Sequence, residues 1–247
     1  MENIFSIKNK KILVTGASSG IGRQIGITCS ALGGEMILTA RNDKRLGETS
    51  AQLSGLNNQT IVADLSLEAE INNLADRCPP LDGVVLNAGL VKIMPIKFFK
   101  PASVEELFSV NIQSSILLIN RLIKTRKLNP KASICFISSI ASLKSTSGNA
   151  IYSATKGAVN SFSRAIALEL AGKQIRSNAI LPGFIETDIL SKDIVNKENL
   201  ETHKKNYPLG RFGKPIDVAN LAVYLLSNAS NWMTGSLLTL DGGYSLK

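Results

Sequence analysis

Three side chains of this 247-residue chain have types and spacing that could move a proton. The apolar run Lys131–Ile137 ends in the pair Ser138 and Ser139. Tyr152 and Lys156 follow, four residues apart, in a helical pattern running from Ile151 to Leu170. That spacing puts the phenol and the ammonium on one face of the helix. A hydroxyl, a phenol and an ammonium held together can give a proton to a carbonyl oxygen, or take one from an alcohol. A free tyrosine has a pKa of about 10, and lowering it to near neutrality needs about 4 kcal/mol of differential stabilisation, to which the Lys156 charge would contribute. Singly, Tyr152 also reads as a packing residue, Lys156 as a solvated charge and Ser139 as a strand cap. The spacing of the set favours chemistry over those separate readings.

The elements that must position this set repeat a strand–helix pattern. Lys11–Thr15 is apolar and enters the glycine loop Gly16-Ala17-Ser18-Ser19-Gly20-Ile21-Gly22, after which a helix runs to about Leu32. Glycines allow a tight turn and close approach of a phosphate, and a helix start offers free N–H groups to a pyrophosphate. Met36–Ala40 is a second strand. Its end, Ala40-Arg41, has no carboxylate for a ribose 2′-hydroxyl, and Arg41 can bond a 2′-phosphate, which favours NADP(H) over NAD(H). A third strand, Thr60–Ala63, ends at Asp64, whose carboxylate could face an adenine amino group. A fourth, Leu81–Leu86, ends at Asn87-Ala88-Gly89. Helical stretches are expected over Lys44–Leu53, Leu67–Asp76 and Ser103–Arg126, with Asn111 inside the last. Further strands are expected at Ile175–Ile180, before Pro182-Gly183, and at Ser236–Leu240, with a helix at Pro215–Leu226 between them.

Alternating strands and helices of these lengths imply an α/β Rossmann fold: one doubly wound parallel sheet of about seven strands with helices on both faces. The chain reads as a single domain over 1–247. Ligands of such sheets lie beyond the C-terminal strand ends, where the glycine loop, Arg41, Asp64 and Asn87–Gly89 converge. The polar, Lys-rich stretch 189–207 reads as a substrate lid, and His203 within it as a surface residue.

Composition sets bounds on these readings. Hydrophobic residues make up 44% of the chain, enough for a sizeable core. The three cysteines have no metal-ligand spacing and are odd in number, which points to a reducing, cytoplasmic compartment and against a disulfide framework. No apolar run reaches a membrane span of roughly 20 residues. The net charge of +9 suits an acidic partner, but the basic residues are scattered and not interleaved with aromatics, so nucleic acid is not expected.

Over nearly its whole length the chain resembles the short-chain dehydrogenase/reductase family. Thr15–Gly22 looks like the family's TGxxxGxG, Asn87–Gly89 its NAG element, and Pro182-Gly183 with Thr187 its segment over the nicotinamide. The resemblance implies a catalytic tetrad of Asn111, Ser139, Tyr152 and Lys156. The family's serine commonly stands 13 residues before the tyrosine, which selects Ser139 and leaves Ser138 a neighbour. Tyr152 would be the acid or base, Ser139 would orient the substrate oxygen, Lys156 would bond the nicotinamide ribose, and Asn111 would hold a water that links Lys156 to solvent. Implied cofactor contacts are Gly16, Ser18, Ser19, Gly20, Ile21, Arg41, Asp64, Leu65, Asn87, Ala88, Gly89, Tyr152, Lys156, Pro182, Gly183, Ile185 and Thr187. No metal is implied.

Within the family, Leu181–Asp188 and the ending DGGYSLK are similar to 3-oxoacyl-[acyl-carrier-protein] reductases. That similarity implies a small carbonyl substrate presented on an acidic carrier protein, with Lys173 aligned to a basic docking position, and a homotetramer. Ser19, where that group often has Arg, and the connection Lys124–Lys131 depart from its pattern. A reductase of another small carbonyl, such as a sugar, polyol, steroid or xenobiotic ketone, is the first alternative. A non-catalytic NADP(H)-binding sensor or scaffold is the second.

Overall fold

The computed structural model describes residues 3–187 and 202–247. Seven parallel strands form one sheet: β1 (Lys11–Thr15), β2 (Glu35–Ala40), β3 (Gln59–Val62), β4 (Leu81–Leu86), β5 (Leu128–Ile137), β6 (Arg176–Pro182) and β7 (Leu237–Leu240). Their spatial order is β3-β2-β1-β4-β5-β6-β7. The order reverses at β1, beside β4, and at such a switch point the flanking crossovers diverge and open a crevice at the C-terminal strand ends.

Alternate strand residues feed two cores, one on each face of the sheet. Ile12 and Val14 of β1 join one core; Leu13 joins the other. Helices α1 (Gly20–Ala31), α2 (Asp43–Ser50) and α7 (Pro215–Leu226) cover the first through Ile25, Leu46 and Val218. Helices α3 (Glu68–Arg77), α5 (Ser114–Lys124) and α6 (Ala150–Glu169) cover the second through Ile71, Leu118 and Val159. Cys29, Cys78 and Cys135 are free and buried. Loss of hydration pushes the Cys29 and Cys135 thiols up to about 12, so they behave as small apolar groups. No described helix is long and apolar enough to cross a membrane.

Two elements differ from the sequence reading. The long helix expected over Ser103–Arg126 is divided into α4 (Pro101–Phe108), a π-helical turn at Ser109–Gln113 and α5. The apolar periodicity continues through the turn, so the sequence pattern does not reveal it. The fifth strand starts three residues before Lys131, and its register with β4 jumps from Leu81–Leu128 to Gly83–Ser133. Lys131 sits there at φ 67°, an unusual backbone region for a lysine that the bulged strand imposes. Of the stretch 189–207 read as a lid, residues 189–201 lie outside the described residues.

Candidate active site

The site begins with the glycine loop, which is held by hydrogen bonds to the start of the next loop over. Thr15 Oγ1 accepts the backbone N–H groups of Asn87 and Ala88, each at 3.0 Å. The Asn87 amide donates back to the carbonyls of Thr15 and Gly16 at 3.1 and 3.3 Å. This leaves no room for a side chain at Gly22, where a Cβ would lie 2.4 Å from the Gly16 carbonyl oxygen and 2.5 Å from Asn87 Nδ2. Ser19, the residue before α1, makes no side-chain bond to the helix start, and the first turn of α1 holds no acidic residue. The N-terminal N–H groups of α1 therefore keep their positive end for an outside anion.

Arg41 follows β2 and stands beside Asp64, which follows β3 by way of Ala63. Asp64 Oδ1 accepts the N–H and hydroxyl of Ser66 at 2.9 and 2.7 Å. Those bonds, with a smaller contribution from Arg41, hold its carboxyl below the usual range. Arg23 is not available to a ligand in the same way: it donates to the Ser18 carbonyl at 2.6 Å and to Thr49 Oγ1 at 3.0 Å.

On the other half of the cleft, Tyr152 stands in the first turn of α6. The Ser139 side chain stands beside it and accepts the Ala141 N–H at 3.1 Å. Burial pushes the Tyr152 phenol above its ordinary pKa, and the neighbouring Ser139 hydroxyl pulls it only part of the way back. The expected lowering by Lys156 is not seen in the protein alone. Lys156 Nζ lies 5.8 Å from the Tyr152 ring centroid and donates at 2.8 Å to the Ile137 carbonyl. Lys156 is itself 5% exposed, and loss of hydration brings its ammonium down to about 8. Ser138 points elsewhere, its Oγ donating to the Lys156 carbonyl at 3.2 Å.

The turn after β6 closes over the glycine loop. Gly183 N–H donates to the Leu240 carbonyl at 3.0 Å, and Ile185 bridges to Gly213. Thr187 Cγ2 would lie 3.2 Å from a Cβ at Gly20. One cleft of about 890 Å³ joins both halves. Every catalytic and cofactor residue singled out from the sequence lines it except Asn111.

Asn111 is buried behind the cleft wall in the π-turn, and bonds Leu90 and Thr155. Lys173 stands in the turn beyond the C-terminal end of α6, at the opposite edge of the sheet from Tyr152. A helix rises about 1.5 Å per residue, so these positions are about 30 Å apart along its axis. Within one chain Lys173 is therefore not at the cleft mouth.

The comparisons with known proteins agree with this architecture. A family model described as Enoyl-(Acyl carrier protein) reductase matches residues 16–245. The chain is 35% identical to a 3-oxoacyl-[acyl-carrier-protein] reductase of Bos taurus over 242 residues, 96% of this chain and 99% of the relative. It is 31% identical to the 3-oxoacyl-[acyl-carrier-protein] reductase FabG of Rickettsia felis, over 97% of this chain and 98% of that protein. The chain belongs to the short-chain dehydrogenase/reductase family. It is an oxidoreductase of the class that acts on alcohol and ketone groups, and this family binds NAD(P). A solved structure from Agrobacterium tumefaciens, provisionally named a 2-deoxy-d-gluconate 3-dehydrogenase and holding NADP, superposes with a TM-score of 0.88. It is 27% identical, and all of both chains is covered.

In this short-chain dehydrogenase/reductase the cleft also contains residues that sequence reading missed. Arg45, in the first turn of α2, lines it with Arg41; a second arginine four residues on was the available signal. Lys144, Phe184, His203, Tyr207 and Tyr244 line the cleft as well. His203 is exposed, as expected of a surface residue, yet it stands at the cleft, among aromatic rings brought from separate parts of the chain.

Proposed function

We propose that this protein is an NADP(H)-dependent ketoreductase that interconverts a ketone and a secondary alcohol, with a 3-oxoacyl thioester as its leading substrate class. The observation that carries the reading is Tyr152 at the head of α6, with the Ser139 side chain beside it and Lys156 buried one turn along, in the cleft that also holds the glycine loop.

The cleft residues fit a dinucleotide. Gly16 and Gly20, both at positive φ, keep the loop free of side-chain bulk, and the uncapped start of α1 suits the pyrophosphate. Arg41 and Arg45 would hold the 2′-phosphate, and Asp64, Leu65 and Asn87–Gly89 would line the adenosine half. Pro182, Gly183, Ile185 and Thr187 would cover the nicotinamide half. A bound reduced nicotinamide supplies a hydride for the carbonyl carbon.

The protein's own groups do the rest. Ser139 Oγ and Tyr152 Oη hold the carbonyl oxygen. Tyr152, kept as a phenol by its burial, gives its proton to that oxygen as the alcohol forms. Lys156, an ammonium at pH 7, would bond the ribose of a bound cofactor and stabilise the phenolate left behind. Asn111 fixes the backbone beside Gly89 and, through Thr155, the turn of α6 that carries Tyr152. Both amide hydrogens are used in doing so, which leaves the second lone pair of Oδ1 and the residue's own backbone as the groups to hold a water.

Presentation on an acidic carrier protein suits the net charge of +9. The distance of Lys173 from the cleft of the same chain requires either lysines nearer the mouth or a second copy. We propose a homotetramer in a reducing cytoplasm. Exposed Phe108 and Ile116 beside α4–α5, and Trp232 before β7, give apolar contacts to such interfaces.

Purified protein with NADPH and an acetoacetyl thioester tests the reading through the absorbance of the reduced nicotinamide. Turnover is expected, and Tyr152→Phe is expected to abolish it while cofactor binding stays. Absence of turnover across a broad carbonyl panel, with NADPH bound, refutes the enzyme and leaves a sensor. Preference for a sugar ketone over the thioester moves the substrate to the alternative small-carbonyl class.

A further inference from the structure

Four aromatic rings and His203 gather on the substrate side of the cleft, and the proton chemistry uses none of them. The Phe184 ring, directly after Gly183, packs on Phe212 at 4.5 Å between centroids and lies 5.9 Å from His203. Tyr207 stacks on Tyr244 at 4.9 Å and 26°, and meets Phe212 edge-on at 5.3 Å. His203 stacks on Tyr244 at 6.2 Å and 25°. All these separations fall in the attractive range of about 4.5–7 Å, so the set is one packed wall.

Two polar links fix the wall to the site. The Phe184 N–H donates to Tyr207 Oη at 3.3 Å. Lys144 Nζ lies 5.0 Å from the Tyr244 ring centroid and donates to the Tyr244 carbonyl at 3.3 Å. Lys144 belongs to the connection between Ser139 and Tyr152, so the rings are braced against the segment that carries the proton donor.

The rings divide by exposure. Tyr207 and Phe212, 4% and 2% exposed, form the backing. Phe184 and Tyr244 are half-buried, His203 is exposed, and all three line the cleft. A backed ring loses little freedom when a ligand meets it, and ring–ring contacts are favourable beyond the area they bury. A straight acyl chain gains nothing from that geometry that aliphatic side chains would not give.

The geometry points to a substrate whose carbonyl carries a flat ring, aryl or another unsaturated cyclic group, with the wall of Phe184, His203 and Tyr244 as its specificity determinant. This rests on the ketoreductase reading of the same cleft.

Calorimetric binding of ethyl benzoylacetate and of its straight-chain counterpart, ethyl butyrylacetate, to the NADPH-loaded protein tests it. The aryl compound is expected to bind about tenfold tighter. His203→Ala, at an exposed position, is expected to cut that preference by about threefold, and Tyr207→Leu to remove most of it. Tyr207→Phe keeps the ring and is expected to keep the preference. Equal affinities in the wild type, a preference untouched by His203→Ala, or no binding of either compound overturns the inference. Reduction of the straight-chain ketone without aryl preference overturns the inference and leaves the ketoreductase reading standing. Tight aryl binding with reduction of neither compound overturns the ketoreductase reading, and with it the substrate, and keeps only a ring-binding wall.

Discussion

Asn111 is bonded to Leu90 at both ends of its amide: Oδ1 accepts the Leu90 N–H at 2.7 Å, and Nδ2 donates to the Leu90 carbonyl at 2.9 Å. The same Nδ2 reaches Thr155 Oγ1 at 3.0 Å. The π-turn brings this one side chain between the loop after β4 and the helix that carries Tyr152 and Lys156. Asn111→Leu strands the half-buried N–H and carbonyl of Leu90, each costing about 1–3 kcal/mol where water does not replace the bond. Urea unfolding is expected to show a loss of roughly 3 kcal/mol, together with reduced turnover. Unchanged stability with lost turnover would instead make the residue a water-holding group alone.

The serine pair separates structure from chemistry. The Ser139 hydroxyl acts on the Tyr152 phenol, whereas Ser138 bonds the Lys156 carbonyl. Ser139→Ala is expected to lower kcat by roughly 10²–10³ with little change in Tm, as loss of a group that orients the reacting oxygen. Ser138→Ala is expected to cost about 1 kcal/mol of stability and little kcat. The reverse pattern would exchange their roles.

Two glycines in helices should respond with opposite signs. A Cβ at Gly22 meets the Gly16 carbonyl oxygen at 2.4 Å, whereas one at Gly47 of α2 meets nothing within 4 Å. Gly22→Ala must push the glycine loop off Asn87 and is expected to cost about 1–3 kcal/mol and to weaken cofactor binding. Gly47→Ala is expected to stabilise by about 0.4–1 kcal/mol, chiefly through the unfolded chain. Thermal denaturation of the two variants side by side checks both signs.

The parts of the fold and cleft that were legible in the sequence are those where local pattern and three-dimensional role coincide. Each strand run ends in the residues that line the cleft, so a parallel sheet places Gly16, Arg41, Asp64 and Asn87 together whatever the details of packing. Tyr152 and Lys156 needed only helical periodicity. What stayed hidden depends on long-range contact. The π-turn at Asn111 leaves the apolar pattern unbroken, so the sequence reads as one helix. The wall around Tyr207 joins residues after β6, before α7 and after β7, which no local window brings together. The raised Tyr152 pKa is likewise a burial effect, and spacing alone carries only the proximity of Lys156.

The proposed preference for NADP(H) rests on Arg41 and Arg45, which line the cleft together. The Arg45 backbone is fixed at the start of α2, where its N–H donates to Asn42 Oδ1 at 2.9 Å. Removal of one guanidinium–phosphate bond costs about 1.5–3 kcal/mol, so Arg41→Ala is expected to weaken NADPH by about tenfold or more relative to NADH. Arg45→Ala is expected to act in the same direction, and the double variant to lose the preference. Fluorescence titration with both nucleotides measures the ratios; equal weakening of NADPH and NADH by Arg41→Ala would remove the 2′-phosphate from this end of the cleft.

The pH dependence follows from the two buried groups of α6. Burial lowers Lys156 from 10.5 to about 8 and raises Tyr152 above 10. In the proposed mechanism, reduction needs the phenol and the ammonium together. Below about 8 both are present, and above it the ammonium is lost while the phenol persists. The rate of ketone reduction is therefore expected to hold up to about pH 8 and then to fall. In Lys156→Arg the guanidinium stays charged, so whatever activity remains should fall only at higher pH, where Tyr152 titrates. Stability carries the same signature with the opposite consequence. Between about 8 and 10 the unfolded chain keeps the Lys156 proton that the folded protein has released, so stability rises with pH across that window. Urea midpoints of the wild type and Lys156→Met, compared at pH 7 and pH 10, isolate this term. The difference between them should shift in favour of the wild type at the higher pH, and an unchanged difference would mean that Lys156 keeps an ordinary pKa.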